Sequence, residues 1–294
     1  MKLIVTADWH LKATMPRCRK DENWIDTQRK ILNQVVSISK EKQVPVFVVG
    51  DIFDSNSDTS FEVISLVQNI AHELADGFFI LAGNHDLPYH SSENINKSAV
   101  GILLKSDYIH PIKHITKFEK DSWDYSFSAS NFDEEDDHDA QIVFKHTLTL
   151  PEKNPLFESE TPETLVEKFP KAKWIFIGDY HKAFDVKVNG CHVVNPGCLI
   201  REKSDFKDYQ CGVYYVDTEE EIVEFIPIID DEELVDDSYI IKNDERGNRI
   251  EEFGNKLKDV EGISLDFLDN VEKAIVQNKI DDELKDTIHE LIGV

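Results

Sequence analysis

Three continuous apolar runs, LIVTAD, VPVFVVGD and GFFILAGNHD, are separated by two segments of helical period around Trp24–Lys42 and Phe61–Ala75. A β-α-β-α-β series of this kind implies a parallel sheet, because parallel neighbours need a crossover whereas antiparallel ones are joined by a short turn. The runs are apolar throughout rather than alternating, as strands covered on both faces must be. After GILLKS the texture changes to short strands: YIHPI, DYSFSAS, QIVFKHTLTL, WIFIGDYH, FDVKVNGCHVVN and the pair CGVYYVDT with EIVEFIPII. These predict a second, largely antiparallel sheet packed on the first.

The strands end alike. The first closes on Asp8 and His10, the second on GDIFD with Asp51, and the third on GNHD with Asn84, His85 and Asp86. In the second half, VFKH ends in His146 and IFIGDYH in Asp179 and His181. Taken singly, an Asp after Gly caps a helix or forms a turn, and a lone His is more often a hydrogen-bonded core residue. Taken together, five strand ends carrying carboxylates and imidazoles would hold mutually repelling buried charges unless cations neutralised them. The carboxyl ends of parallel strands are also where ligands bind in open sheets.

Asp-x-His suits one ion if the segment is extended, since residues i and i+2 then point the same way. A carboxylate such as Asp51 has two oxygens and can bridge two ions. Mixed imidazole, carboxylate and amide donors suit Mn²⁺, Fe²⁺ or Zn²⁺ better than Ca²⁺. Two such ions roughly 3.5–4 Å apart serve in-line displacement at phosphorus.

Charge narrows the choice of partners. With 58 acidic against 32 basic residues the chain carries a formal charge of -26, which argues against a free-standing nucleic-acid binder. The four cysteines lack CxxC spacing, no apolar stretch is long enough to span a bilayer, and no signal peptide is visible. A reduced, cytoplasmic protein with no membrane partner is expected. NFDEEDDHD (131–139) and PEKNPLFESETPE (151–163) read as exposed loops, and DDEELVDD (230–237) as a boundary. Beyond it, ISLDFLDNVEKAIV and LKDTIHELI have helical spacing and predict an acidic, mostly helical C-terminal extension over 230–294.

The set D-x-H, GD, GNHD, an isolated strand-end His and a final G-x-x-H occurs in the order found in the calcineurin-like metallophosphoesterases, which residues 1 to about 229 resemble. Within them, TADWHL, VVGDIFD, LAGNHD and VNPGCLIR are most similar to the SbcD-type nuclease subunit of double-strand-break repair complexes, bacteriophage versions included. The resemblance implies a four-layer α/β/β/α catalytic domain over 1–229 and a DNA phosphodiesterase that works by direct attack of metal-activated water. It implies that Asp8, His10, Asp51 and His181 hold one metal, and that Asp51, Asn84, His146 and Asp179 hold the other. Mn²⁺ is the expected ion, with Mg²⁺, Fe²⁺ and Zn²⁺ as alternatives. His85 would contact the phosphate and assist the leaving oxygen, with Asp86 orienting it.

The chain departs from the pattern at Asp179, where the family usually has His in Gly-His-x-His. The capping domain of the cellular nucleases is reduced here to the tail. An SbcC-like coiled-coil ATPase would be the partner that supplies a DNA-binding surface, with the tail as either docking helices or a lid, and a homodimer is open. Two rivals stand beside this reading. One is an enzyme of the same fold acting on a cyclic nucleotide, nucleotide or phosphoprotein; the other is a metal-free scaffold. His90, His110, His114 and His138 read as surface or loop residues, and Cys191, His192 and Cys198 as structural.

Overall fold

The computed structural model describes residues 1–56, 59–74, 76–112, 127–130, 136–153, 159–238, 271–272, 275–276 and 279–292. They fall into two compact units, Met1–Asp236 and Asp237–Val294.

In the first unit, β1 (Lys2–Thr6), β2 (Val46–Val49), β3 (Phe78–Leu81) and β4 (Ile109–Pro111) run parallel, joined through α1 (Trp24–Lys42), α2 (Phe61–Glu73) and α3 (Ala99–Leu103). A second sheet has the order β5-β6-β7-β9-β8, from β5 (Phe127–Ser130), β6 (Ile142–His146), β7 (Trp174–Gly178), β8 (Phe184–Val188) and β9 (Cys191–Asn195), with α4 (Pro162–Lys168) between β6 and β7. The hairpin of β10 (Gly212–Asp217) and β11 (Ile222–Pro227) returns to the first sheet and adds two antiparallel strands beside β1.

Alternation along the strands sorts side chains into layers. Leu3, Val5, Phe47, Val49, Phe79 and Leu81 meet Ile142, Phe144, Trp174 and Phe176 between the sheets. Ile4, Val46, Val48, Phe78 and Ile80 instead face α1, α2 and α3, while Val143, Ile175 and Ile177 pack with Leu165 and Phe169 around α4. The result is the expected four-layer α/β/β/α sandwich. Stacked rings stitch its middle: Phe47 lies 4.7 Å from Phe79 and 5.2 Å from Phe144, and Phe144 lies 4.9 Å from Phe176.

Two expectations about the second half are corrected. The second sheet is parallel across β5, β6, β7 and β9, and only β8 runs antiparallel. The reason is the one already applied to the first sheet: β6 and β7 are buried at every position, the signature of strands covered on both faces. The CGVYYVDT and EIVEFIPII pair belongs to the first sheet, because β10 pairs with β1 along Lys2–Val5.

Helix ends follow local chemistry. Asn23 caps α1 by accepting the Asp26 N–H, Ser60 caps α2 through Val63, and Thr161 and Thr164 form a capping box at α4. Asp230 lies inside the first unit. Its carboxylate accepts two bonds from the buried Arg19 guanidinium at 3.0 Å each, and Arg19 also grips Asp21 at 2.7 and 2.9 Å. This pairing ties the approach to α1 to the exit of β11.

The second unit contains α5 (Asp282–Ile292), in which Leu284 and Ile288 are buried. Most of ISLDFLDNVEKAIV, the acidic stretch 131–135 and His114 lie outside the described residues. Among the described residues no helix is long and apolar enough to cross a membrane.

Candidate metal centre

The carboxyl ends of β1, β2, β3, β6 and β7 converge, and the backbone there is unusual. Asp8, His10, Asp51 and Asp179 adopt left-handed conformations, with φ of 50, 45, 52 and 87°. Such conformations cost about 1–3 kcal/mol each and persist only where the surroundings impose them. They replace the extended geometry expected for Asp-x-His. Asp8 and His10 follow the end of β1, and two left-handed turns, not a shared strand face, aim both side chains inward.

Glycines make room for the rings. A Cβ on Gly50, itself at φ 89°, would lie 2.1 Å from His146 Nδ1, and one on Gly83 would lie 2.1 Å from Asp51 Oδ1. Gly50→Ala is therefore expected to cost roughly 2–4 kcal/mol through strain and overpacking. The check is thermal unfolding, where a melting temperature unchanged from the parent would refute the close packing.

Side chains from the five strand ends gather into interlocking sets. Asp8, His10 and His181 offer ligand atoms within 4.8 Å of one another, as do Asp8, Asp51 and His146, and also His10, Asp51 and His85. The Nε2 atoms of His10 and His181 stand 3.2 Å apart. Asp51 Oδ2 is 3.3 Å from His146 Nε2 and 3.8 Å from His10 Nε2. Nδ1 of His146 donates to the Val49 carbonyl at 2.8 Å, which turns Nε2 toward Asp51 and toward Asn84 Oδ1 at 3.0 Å.

Burial strains these charges. It raises Asp8 to about 8, helped by Asp51 and Asp179 and opposed by His146. His10 falls to about 3 and His181 to about 4, in each case chiefly by burial. Burial would lower His146 as well, but the Asp51, Asp8 and Asp179 carboxylates outweigh it and hold the ring at about 10. Facing imidazoles that resist protonation, beside carboxylates crowded together, fit divalent cations: each cation would accept the imidazole lone pairs and neutralise the carboxylates.

The family model for calcineurin-like phosphoesterases matches residues 1–183. The chain belongs to that family. Solved structures of similar fold include an archaeal phosphodiesterase, 14% identical over 78% of this chain and 100% of that chain with a TM-score of 0.42. A dimetal phosphatase from Danio rerio is 11% identical over 73% of this chain and 91% of that chain, with a TM-score of 0.49. A protein of Thermus thermophilus is 12% identical over 78% of this chain and 99% of that chain, with a TM-score of 0.47. No curated protein matches.

As a calcineurin-like phosphoesterase the chain is a metal-dependent hydrolase with a dinuclear divalent centre, and the clustered donors fit that centre. Asn84 joins the site through His146. Asp179 stands outside the three sets; its N–H donates to both Asp8 oxygens at 3.2 and 3.1 Å, and burial raises its carboxyl pKa. Asp179→Asn keeps that N–H and removes only the charge. If the carboxylate ligates the second ion, calorimetric titration with Mn²⁺ will show that ion's affinity reduced about 10–100-fold or more. Two ions bound at parental affinity would sink the assignment.

The role expected of Asp86 is corrected. Its carboxylate does not orient His85; it accepts N–H bonds from Ile52, Phe53 and Gly83 at 3.2, 3.0 and 3.1 Å, pinning the GNHD turn to the GDIFD loop. His85 is held instead by the Asp54 carbonyl, 2.8 Å from Nδ1. His90, read as a surface residue, is exposed yet supports the site, because its Nδ1 bonds the Asn84 carbonyl at 3.1 Å. His138 is exposed and bonds the Lys168 carbonyl, and His110 sits exposed on β4. His192 stacks on Trp174, and Cys191 and Cys198 are buried free thiols.

Sequence reasoning passed over Lys12, Asp54 and Glu202. All three line the cavity of about 180 Å³ that opens onto Asp8, His10, His85 and His181. Lys12 Nζ is 2.7 Å from Glu202 Oε2 and 3.1 Å from Asp54 Oδ1. The only local hint was the second Asp of GDIFD.

Proposed function

We propose that the chain hydrolyses phosphodiester bonds in DNA, as the nuclease subunit of a pair whose other member is an SbcC-like coiled-coil ATPase. The observation carrying the hydrolytic part is the clustering of Asp8, His10, Asp51, His146 and His181, with Asp8, His10, His181 and the exposed His85 lining one cavity. The DNA part rests on TADWHL, VVGDIFD, LAGNHD and VNPGCLIR.

A divalent pair supplies Lewis acidity and an activated water. The protein supplies position. Asp51 serves both halves of the donor set, and Val49 fixes the His146 tautomer. The Asp54 carbonyl accepts from His85 Nδ1 and orients the ring, so that in the imidazolium form the other ring nitrogen would carry the proton passed to the departing oxygen. With a net charge of -26 the chain gains little from its own field in attracting DNA, so a partner that supplies a basic surface suits it.

A second reading is favoured by the same charge and by the modest cavity of about 180 Å³: hydrolysis of a small phosphoester such as a cyclic nucleotide. The two separate in an assay with Mn²⁺ on linear duplex and single-stranded DNA beside bis-p-nitrophenyl phosphate. Cleavage of DNA supports the first; turnover of the model diester with no DNA cleavage, alone or with the ATPase, overturns it. Removing residues 237–294 is expected to abolish capture of the ATPase in a pull-down while bis-p-nitrophenyl phosphate is still hydrolysed. Capture at parental level would exclude the tail as the docking element.

A further inference from the structure

Cys198 and Cys211 are free thiols whose sulfurs stand 3.8 Å apart, close enough for one S–H to meet the other sulfur, with Phe206 and Tyr209 packed around them. We propose that the pair is an oxidative modification site: hydrogen peroxide closes it to a disulfide that loosens the metal centre, and a dithiol reductant reopens it. The inference goes beyond the hydrolytic reading by assigning a regulation to its site. It rests on the dinuclear centre and is indifferent to whether the substrate is DNA or a small diester.

Three placements carry it. The first is access. Cys198 lines the cavity of about 180 Å³ that opens onto Asp8, His10, His85 and His181, so a molecule as small as a peroxide meets this residue first, and Cys211 is fully buried beside it. The second is the chain between the two cysteines, which supplies Ile200, Glu202, Lys203 and Phe206 to the same cavity. A bond between its ends ties down one wall of the site. The third is the grip of that segment on His181. The Cys198 N–H donates to the His181 carbonyl at 2.9 Å, the Tyr209 hydroxyl accepts the Ala183 N–H, and a Cβ on Gly197 would lie 2.7 Å from the His181 carbonyl oxygen. Segments packed this closely do not move independently.

The chemistry balances. The Cys198 thiolate attacks one peroxide oxygen, the O–O bond breaks and hydroxide leaves, which gives a sulfenic acid; the Cys211 sulfur then attacks the sulfenic sulfur and expels the second hydroxide. The two thiol protons go to the two hydroxides, so two thiols and one hydrogen peroxide become one disulfide and two waters. The hydrogen bond with Cys211, together with burial, holds the Cys198 thiol well above its ordinary range, which slows the first attack and suits sustained exposure to oxidant. Sulfurs 3.8 Å apart must approach to about 2.05 Å to bond, and the shift passes through the Cys198 and Tyr209 contacts to the His181–Ala183 segment.

The test exposes the full-length chain to hydrogen peroxide, removes the excess with catalase, and follows the cysteines by peptide mapping, Mn²⁺ affinity by calorimetry and turnover of bis-p-nitrophenyl phosphate. A Cys198–Cys211 cross-link is expected, with the affinity for one ion reduced about tenfold or more, the lower end of what disturbing a ligand's support costs, and turnover falling with it. Dithiothreitol should restore both, an arm that needs no variant. Cys211→Ala, which cannot form the bond, is expected to bind Mn²⁺ as the untreated parent does and to keep that affinity through the treatment. No cross-link under conditions that oxidise glutathione in the same tube, a cross-linked chain of unchanged affinity, or an equal loss in Cys211→Ala would overturn the site. If the untreated chain binds Mn²⁺ but hydrolyses no diester, the hydrolytic reading fails while cross-link and affinity still judge the pair; a reduced chain that binds no Mn²⁺ overturns both.

Discussion

Asp51→Asn is expected to reduce turnover of a phosphodiester by about 10³-fold or more, the equivalent of several kcal/mol of lost charge stabilisation. Asn keeps the shape of the side chain and changes only its charge, so the loss reports the carboxylate. Asp51 is tied to several parts of the site at once. Asp51 belongs to two of the three donor sets, lies 3.3 Å from His146 Nε2, and accepts the His85 N–H at 2.9 Å. Its charge is also the largest influence raising the His146 pKa against burial. Elemental analysis and bis-p-nitrophenyl phosphate hydrolysis check the prediction together. A variant that keeps two ions per chain and activity within tenfold of the parent would show that Asp51 does not bridge the centre.

His85→Ala is expected to lose roughly 10²–10⁴-fold in turnover, the range typical of a general acid, while both ions stay bound. The structure gives His85 two conceivable jobs. Its ring lies within ligand distance of His10 and Asp51, and its centroid is 4.9 Å from that of His10. Against ligation, the ring is exposed at the cavity mouth and Nδ1 is spent on the Asp54 carbonyl. Exposure and a ring oriented by the Asp54 carbonyl suit proton transfer from the imidazolium to an incoming substrate better than holding a buried ion. Metal content decides: the loss of one ion from His85→Ala would make it a ligand, and full content with poor turnover would make it the acid.

Asp54 explains why such a residue can be positioned without a dedicated charged partner. Its carbonyl anchors His85, while its carboxylate meets Lys12 at 3.1 Å and lies 3.8 Å from the otherwise unpartnered Nδ1 of His10. One short loop after β2 thus serves the metal centre, the proton donor and Lys12. Asp86 holds that loop in place through three backbone N–H groups.

The sequence by itself determined the donor types and the parallel core of the first sheet. Short unbroken apolar runs bounded by turns and separated by segments of helical period read as strands covered on both faces, and Asp, His and Asn at five strand ends are more than neutral filler when parallel strands bring those ends together. Tertiary structure decided the rest. Whether β10 and β11 join the first sheet or the second depends on pairing with β1, about two hundred residues away, and no local period encodes a distant partner. Lys12, Asp54 and Glu202 come from three separate segments, each ordinary alone, and acquire a role only where the fold closes them around one cavity. The left-handed backbone at Asp8, His10, Asp51 and Asp179 is the clearest case. Local preference would put glycine there, and only the surrounding packing, with Gly50 and Gly83 opening space for His146 and Asp51, holds these side chains in conformations their own residues disfavour.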